Sequence, residues 1–299
     1  MSSIALIGAI ELGLVFGLVG LGVYLSFRVL NFPDLTVDGS FPLGGGVAAA
    51  LIVADADPWL ASLAAAAAGA VAGLVTGWLN VRLKILHLLA SILTMIALFS
   101  INLRIMGRPN VALLGESTVF TPFEGLGLPA IWLQPMVFLA VVVVATLLVD
   151  LYLLSEIGLA LRATGANPRV ARAQGVRTDR AILAGLAVSN ALVALAGALF
   201  AQSQGGADVS MGVGIIVVGL AAVIVGETLV PGRGVVLGTI ASVVGSIVYR
   251  LAIALALNAD ILGLKAQDLN LVTAVLVALA LTLPGLRRSR GARLAGGRP

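Results

Sequence analysis

No cysteine occurs in the 299 residues, so neither a disulfide framework nor thiolate chemistry is open to this chain. Histidine is nearly as scarce. His87 is the only one, and no Ser/His/Asp set or histidine-rich metal site can be assembled from it. It stands near Arg82 and Lys84 at the start of an apolar segment and reads as a structural, interfacial residue. Charge is the third shortage: 11% of residues are Asp, Glu, Lys or Arg, against about 25% in soluble domains. The phosphate-cradling GxxxxGK[ST] and the zinc-binding HExxH are both missing. The chain therefore reads as no enzyme, with no metal and no cofactor of its own.

What is abundant points elsewhere. Hydrophobic residues make up 60% of the chain and glycine contributes 36 positions, while aromatics are only 5%. Apolar runs recur at the ~20 residues that cross ~30 Å of hydrocarbon. Small residues let such helices approach closely, whereas a barrel would show short alternating segments. The expected fold is all-α, a polytopic transmembrane helical bundle. Nine hydrophobic segments are expected, at 4–27, 41–54, 59–79, 85–103, 135–154, 182–201, 212–229, 235–257 and 269–283. The first is too long and too poor in basic residues for a cleaved signal and is expected to be retained. The net charge of +4 does not indicate nucleic acid, because the Lys and Arg residues gather in short loops and the tail, as topology determinants do.

That bias orients the bundle. With the tail (Arg287, Arg288, Arg290, Arg293, Arg298) in the cytoplasm, nine crossings place the N-terminus outside. Fourteen of the 18 basic residues then fall inside, including Arg28, Arg82, Lys84 and Arg233. Arg104, Arg108 and Lys265 stay outside with Asp55, Asp57, Asp208, Asp260 and Asp268, and Arg250 lies within a segment. Residues 1–286 form the membrane domain and 287–299 a basic tail.

The longest basic interruption, residues 155–181, carries Arg162, Arg169, Arg172, Arg177 and Arg180 against Glu156 and Asp179. Within it the spacing predicts a very short helix over Pro168 to Gln174. Asn167 suits the N-cap, Pro168 the first helical position and Gly175 the residue past the end. A helix of two turns is marginal in water, so it is expected to rest on a soluble partner.

The second segment is irregular. NFPDLTVDGSFPLGGG (Asn31 to Gly46) places Pro33, Pro42, Asp34, Asp38 and a glycine run where a spanning helix belongs. The expectation is a break at membrane depth, buried in protein or lining a cavity, with a half-helix from near Ser40 pointing its positive end inward. An ordinary cytoplasmic loop is the alternative. Residues 104–134 form the longest external connection and suit a small surface helix or plug, serving as a lid or a docking surface. Charges within segments cost energy in lipid and mark functional candidates. Asp150 and Glu227 read as anchors, Glu227 through a local pair with Arg233. Arg250 either pairs with Asp208 or Asp260 or attracts a substrate carboxylate. The glycines at 212, 214, 219 and 226 indicate tight helix packing.

Three stretches resemble the permease subunits of ABC importers of the branched-chain amino acid and simple-sugar superfamily: NFPDLTVDGSFPLGG (Asn31 to Gly45), LTMIALFSINLRIMGRPN (Leu93 to Asn110) and LRATGANPRVARAQGV (Leu161 to Val176). The second, with TVDGSF, is similar to the branch with a single permease gene. The resemblance implies a type II importer-like permease in the bacterial inner membrane, pairing as a homodimer. It also implies two separate ATPase subunits that bind ATP and Mg, and an external substrate-binding protein delivering an amino acid or similar small solute. Asp38, Ser40, Asn102 and Arg250 are the resulting candidates for the solute path, and Asn167, Pro168, Arg169, Arg172 and Gly175 for coupling to the ATPase. An ion-coupled secondary transporter is the competing expectation. It would account for the buried acids, although no inverted repeat of the broken motif appears in the second half.

Overall fold

The computed structural model describes residues 3–126, 129–232 and 234–258, with the single residue 275. Ten α-helices follow in order: α1 (Ser3–Val23), α2 (Thr36–Val53), α3 (Pro58–Leu83), α4 (His87–Met106), α5 (Ala130–Leu154), α6 (Glu156–Ala166), α7 (Pro168–Ala173), α8 (Thr178–Ser203), α9 (Ile215–Leu229) and α10 (Val235–Asn258). A π-helical stretch, Tyr24–Val29, prolongs α1. Among the described residues seven helices are long and apolar enough to cross a membrane: α1 with its π extension, α2, α3, α4, α5, α8 and α10. The chain is thus a multi-pass membrane protein. Eight of the nine expected segments are helices, but α9, with 15 residues, is about 22 Å long and falls short of ~30 Å of hydrocarbon. The ninth, 269–283, and the tail 287–299 lie outside the described residues but for residue 275.

The helices run alternately up and down, and two ends result. One end is basic: the Arg28 Nε meets the Glu227 Oε1 at 2.6 Å, tying the π stretch to the last turns of α9. The α6 helix packs on the same stretch, where Gly165 meets the Val29 carbonyl so closely that a Cβ would sit 1.9 Å from its oxygen. At the opposite end, β1 (Asn110–Ala112) pairs antiparallel with β2 (Gly206–Asp208), in the register Asn110↔Asp208, Val111↔Ala207, Ala112↔Gly206. The long connection expected to form a surface helix or plug thus holds a strand and a 3-10 turn, Thr121–Leu126. Its strand staples the exit of α4 to the exit of α8.

The centre is α8, which packs on α3, α2 and α1. Small residues make this possible. A Cβ on Gly44 would lie 1.9 Å from the Ala194 carbonyl oxygen, one on Gly197 1.9 Å from that of Phe41, and one on Gly73 2.1 Å from that of Leu186. Helix backbones therefore touch, which replaces the hydrophobic drive that lipid removes. Of the four glycines expected to pack tightly, Gly212 meets the Asp38 carbonyl, Gly219 faces Val23 and Gly226 faces the Ala241 carbonyl, whereas Gly214 has nothing within 4 Å of an added Cβ.

The second segment differs from its expected form. The helix is not first formed at Ser40: α2 is continuous from Thr36 and carries Pro42 within it. The irregular backbone is confined to Leu30–Leu35. Pro42 removes the amide that would serve the Asp38 carbonyl, and Gly212 packs against that carbonyl, with a Cβ-to-oxygen distance of 2.0 Å.

We expect Gly44→Ala to lower thermal stability in detergent by about 1–3 kcal/mol, the usual cost of overpacking. Gly8→Ala, with nothing within 4 Å of the added Cβ, should leave it within about 0.5 kcal/mol. Equal melting of the two variants would remove the close α2–α8 approach as a determinant of stability.

Candidate functional site

Two aspartates on neighbouring turns divide the work of the irregular stretch. Asp34 is 1% exposed and accepts from the Thr36 amide at 3.0 Å and from the Asn190 Nδ2 at 2.7 Å. Asn190, fully buried in α8, accepts in turn from the Ser40 Oγ at 2.7 Å and donates to the Leu186 carbonyl at 3.0 Å. Thr36 and Thr76 share a further hydroxyl hydrogen bond at 2.7 Å, joining α2 to α3. Every buried polar group needs such a partner in a medium without water. The knot joins α2, α3 and α8 through side chains as well as backbone.

Asp38 looks the other way. Its carboxylate accepts from the Gly214 amide at 3.3 Å and from the Ile216 amide at 2.8 Å, which makes it a long-range N-cap of α9. Gly214 lies at φ +81°, a left-handed turn natural to glycine, and sends the chain into α9. Asp38 is 15 residues before Val53 on α2, so this cap lies about 22 Å from the far end of that helix. The half-helix with an inward positive end therefore exists, but it is α9, not the segment beginning at Ser40. An anion at a helix N-terminus is favourable, and here the chain supplies its own.

Asp38 also lines a cavity of about 450 Å³ between α2, α4 and the approach to α9, and Asn102 lines the same cavity. Asn102 is 1% exposed. Its Nδ2 donates to the Gly39 carbonyl at 3.2 Å, and its Oδ1 has no hydrogen-bond partner. Of the four candidates for a solute path, the structure brings Asp38 and Asn102 together. Ser40 lies within the α2–α8 interface, and Arg250 lies elsewhere. The Arg250 guanidinium carbon is 3.8 Å from the centre of the Phe16 ring, and Phe16 stacks on Phe41 at 5.8 Å. The expected pairing of Arg250 with Asp208 does not occur. Asp208 is held by Asn110 and by the hydroxyl and amide of Ser210, and the Ser210 hydroxyl, more than its amide, keeps the Asp208 carboxyl below the usual range. Asp260 lies outside the described residues.

Asp150 and Glu227 tie neighbouring helices together. Asp150 accepts from the Thr239 Oγ1 at 2.7 Å. Glu227 joins Arg28 on α1's extension, and Arg233, its expected local partner, lies outside the described residues. His87 stacks on Phe32 with ring centroids 4.4 Å apart. No group of three His, Cys, Asp or Glu residues that could hold a metal ion occurs among the described residues.

At the basic end, residues 155–181 fold into an elbow of two helices. The Ser155 Oγ caps α6 by accepting from the Gly158 amide at 3.3 Å. The Asn167 Oδ1 caps α7 by accepting from the Arg169 and Val170 amides at 3.1 and 3.2 Å. Pro168 opens α7, and Gly175, at φ +85°, closes it. Ala171 is the buried residue of this short helix, while Arg169 and Arg172 are exposed. Arg172 is braced by the Thr178 hydroxyl at 2.8 Å and lies 3.5 Å from Asp179. No hydrogen bond or ion pair of this kind holds the Arg169 side chain among the described residues.

Asn190 and Asp34 were not among the sequence candidates. The signal that could have found Asn190 is a lone Ser-Asn pair, Ser189 and Asn190, deep in an otherwise apolar helix; Ser189 donates to the Gly22 carbonyl at 2.7 Å.

Residues 5–283 match the family described as "Branched-chain amino acid transport system / permease component". A "Tyrosine transport system permease protein" of Clostridioides difficile (strain R20291) is 36% identical over 285 residues, covering 95% of this chain and 92% of the relative. The "Ribose import permease protein RbsC" of Escherichia coli (strain K12) is 27% identical over 256 residues, covering 83% of this chain and 75% of the relative. Among solved structures, "PsaBC from Streptococcus pneumoniae in complex with Fab" superposes with a TM-score of 0.47 at 17% identity, covering 92% of this chain and 89% of that one.

Asn190→Ala would leave the Asp34 carboxylate and the Ser40 hydroxyl short of a partner. We expect a loss of about 1–3 kcal/mol for each group so exposed, read as earlier unfolding in detergent. Gln204→Ala, on an exposed side chain, should shift unfolding by no more than about 0.5 kcal/mol. A melt of Asn190→Ala indistinguishable from the parent would dismiss the polar knot as a stabilising element.

Proposed function

The chain belongs to the family of branched-chain amino acid transport permease components, in the ABC permease superfamily, and from that premise we propose that it is the membrane subunit of an ATP-driven importer. In this reading a homodimer of the chain sits in a bacterial cell membrane, its basic end and C-terminus in the cytoplasm. Two separate ATPase subunits carry ATP and Mg, and a substrate-binding protein delivers a small solute from outside. The names of relatives that move tyrosine and ribose favour an amino acid or similar small molecule, and the identity of 36% favours the amino acid.

The observation that carries this reading is the capped helix α7. It is too short to be stable alone, it is pinned at both ends, and it presents Arg169 outward at the basic end. Such an element suits a surface on which a second protein presses. The basic bias of that end supports a cytoplasmic position. Pressure on α7 would pass through α6 to the π stretch and α8, because α6 rests on both. From α8 the Asn190 contacts lead to α2, and Asp38 leads from α2 to α9. A rigid-body shift of the elbow would thus reach the cavity beside Asp38 and Asn102 through packed elements. That route is one of spatial adjacency.

Arg169→Glu should weaken association with the ATPase by about tenfold or more, since losing a buried interfacial charge costs about 2–5 kcal/mol. The bundle's melting should stay unchanged. Arg169→Glu with Arg172→Glu should be weaker still, and would also loosen the brace on Thr178. Undiminished co-purification of the ATPase with the double variant would reject α7 as the docking element. Uptake by the purified chain alone, driven by an ion gradient without ATP, would favour the secondary-transporter reading instead.

Asp38→Ala removes a helix cap worth about 0.5–2 kcal/mol. We expect it to reduce uptake by more than it reduces the amount of folded protein, measured by fluorescence-detected gel filtration beside radiolabelled uptake. Normal uptake would leave Asp38 a purely structural cap.

A further inference from the structure

A second cavity, of about 350 Å³, opens at the basic end between the α3–α4 turn, the irregular stretch and the elbow. Lys84 of the turn and Arg172 of α7 line it from different elements. Asp179, the acid of its lining, is spent on Arg172 at 3.5 Å, and the Thr178 hydroxyl holds the same guanidinium. Lys84 has no ion pair among the described residues, so the cavity keeps one uncompensated cation. Its wall is built on fixed backbone. Lys84 ends α3 at φ +57°, Asn31 stands at φ +55°, and both line this cavity. Left-handed backbone at residues other than glycine gathers at ligand clamps. The turn is pinned by the Asn80 Nδ2, which donates to the Ile85 carbonyl at 2.7 Å. The rim is apolar. Leu86, 76% exposed, is part of the lining, and Leu83 and Leu89 beside it are exposed as well. Trp78, half exposed, precedes Lys84 by about 9 Å along α3. Both α3 and α4 are long and apolar enough to span a membrane. Their shared end thus gathers exposed leucines, a tryptophan and a lysine, the set that helices carry at the edge of the hydrocarbon.

We propose that this cavity binds the phosphate of an anionic phospholipid on Lys84 and Arg172, with the acyl chains against the exposed leucines of the α3–α4 turn. Basic pockets between membrane helices suit such headgroups. A zwitterionic lipid brings a cation of its own, which gains nothing from an unpaired lysine. Free phosphate would find the same two cations but would make no use of the apolar rim. An acidic segment of a protein partner would leave Leu83, Leu86 and Trp78 uncovered. A lipid held here touches the α3–α4 turn, α6 through Thr164 and α7 through Pro168, and so braces the elbow against the bundle. The site stands whether or not the chain serves an importer, because it needs only the membrane.

Native mass spectrometry of the purified full chain counts bound lipids directly. The probes are dioleoyl phosphatidylglycerol, dioleoyl phosphatidylcholine and inorganic phosphate. With two cations in the site, we expect phosphatidylglycerol to bind about tenfold or more tightly than phosphatidylcholine. Lys84→Gln should weaken phosphatidylglycerol binding about fivefold, the share of one basic residue at a membrane surface, and leave phosphatidylcholine unchanged. Lys84→Arg keeps the charge and should keep the preference. Arg82→Gln removes an equal charge from an exposed side chain outside the lining, and should change binding by less than about twofold, because solvent and salt screen it. Equal binding of the two lipids, or equal losses in Lys84→Gln and Arg82→Gln, would overturn the site. Displacement of phosphatidylglycerol by an equal concentration of inorganic phosphate would overturn it in favour of the free anion. Unchanged lipid binding in Lys84→Gln, with loss of ATPase co-purification, would overturn it in favour of a protein partner. The lipid pair on the unaltered chain and on Lys84→Arg decides even if Lys84→Gln fails to fold. A phosphatidylglycerol preference without ATP-dependent uptake would remove the importer reading alone, and uptake without that preference would remove this site alone.

Discussion

Backbone that leaves helical geometry inside a packed bundle must find its hydrogen bonds within the protein, because water is not there to supply them. Much of this chain's architecture answers that demand at one place. Between the π stretch and α2 the backbone is irregular over Leu30–Leu35. Its amides find carbonyls of the preceding turns: Leu30 donates to Leu25 at 3.0 Å and Phe32 to Ser26 at 2.8 Å. Asp34 meets Thr36 and Asn190, and Asp38 meets α9. The second place of need is the start of α9, where amides would be orphaned. Asp38, three residues past that stretch in the first turn of α2, supplies the answer there. The irregular stretch and the helical turn after it thereby tie α2, α8 and α9 together.

Composition and packing follow from this. A knot of short polar side chains works only if backbones come close enough for short reaches. Gly44, Gly73 and Gly197 let α2, α3 and α8 meet at carbonyl contact, which explains why glycine is plentiful while aromatics are few. The aromatics are not scattered evenly. Phe16, Phe41 and Phe200 form one cluster where α1, α2 and α8 meet, with centroids 5.5 to 5.9 Å apart. Arg250 lies over the outer face of that cluster. A cation over a ring gains about 2 kcal/mol or more when desolvated, so the ring offers Arg250 a partner in a membrane helix where no described acid pairs with it. The guanidinium is held by π-electrons rather than by the aspartate that charge counting suggests.

The features legible in the sequence were those whose cause is local. Asn167, Pro168 and Gly175 announce a short helix because capping depends on the residues in immediate succession, and the structure forms α7 there. The membrane character follows from summed apolarity, which needs no tertiary contact. The second segment was legible as abnormal, since Pro33, Pro42 and the glycine run contradict a plain span. What the residues did not reveal was which segment would be short. Asp38 caps a helix 176 positions away in the chain, and no periodicity records such a partner. Thr36 likewise formed helix earlier than expected, because burial on α3 and α8 outweighs the weak propensity of Pro42 and its neighbours. Asn190 escaped notice for the same reason: a single amide in an apolar helix has meaning only once Asp34 and Ser40 are beside it. The pairing of β1 with β2 joins residues about a hundred positions apart, at Asn110 and Asp208, and three-residue strands carry no alternation to read.

A helix end held by a half-buried carboxylate is also a point where small displacements matter. α9 packs on α1 and α10 and touches α2 only lightly, so Asp38 is the main polar tie between its N-terminus and α2. The other end of α9 is tied by Glu227 to Arg28, on the π stretch against which α6 and the elbow rest. A π turn departs from the tight 3.6-residue ladder and is often found where function needs a local irregularity. Motion of the elbow would therefore act on α9 at both ends by different routes: directly through Arg28 and Glu227, and indirectly through α8, the Asn190 knot and Asp38. The two routes meet at the wall of the cavity that Asp38 and Asn102 share. A helix clamped at both ends cannot follow the elbow without altering that wall, whereas a full-length span buried by close packing along its whole length could. In the importer proposed above, the short length of α9, which hydropathy alone would count as a defect, would let a movement at the basic end change the cavity beside Asp38 and Asn102.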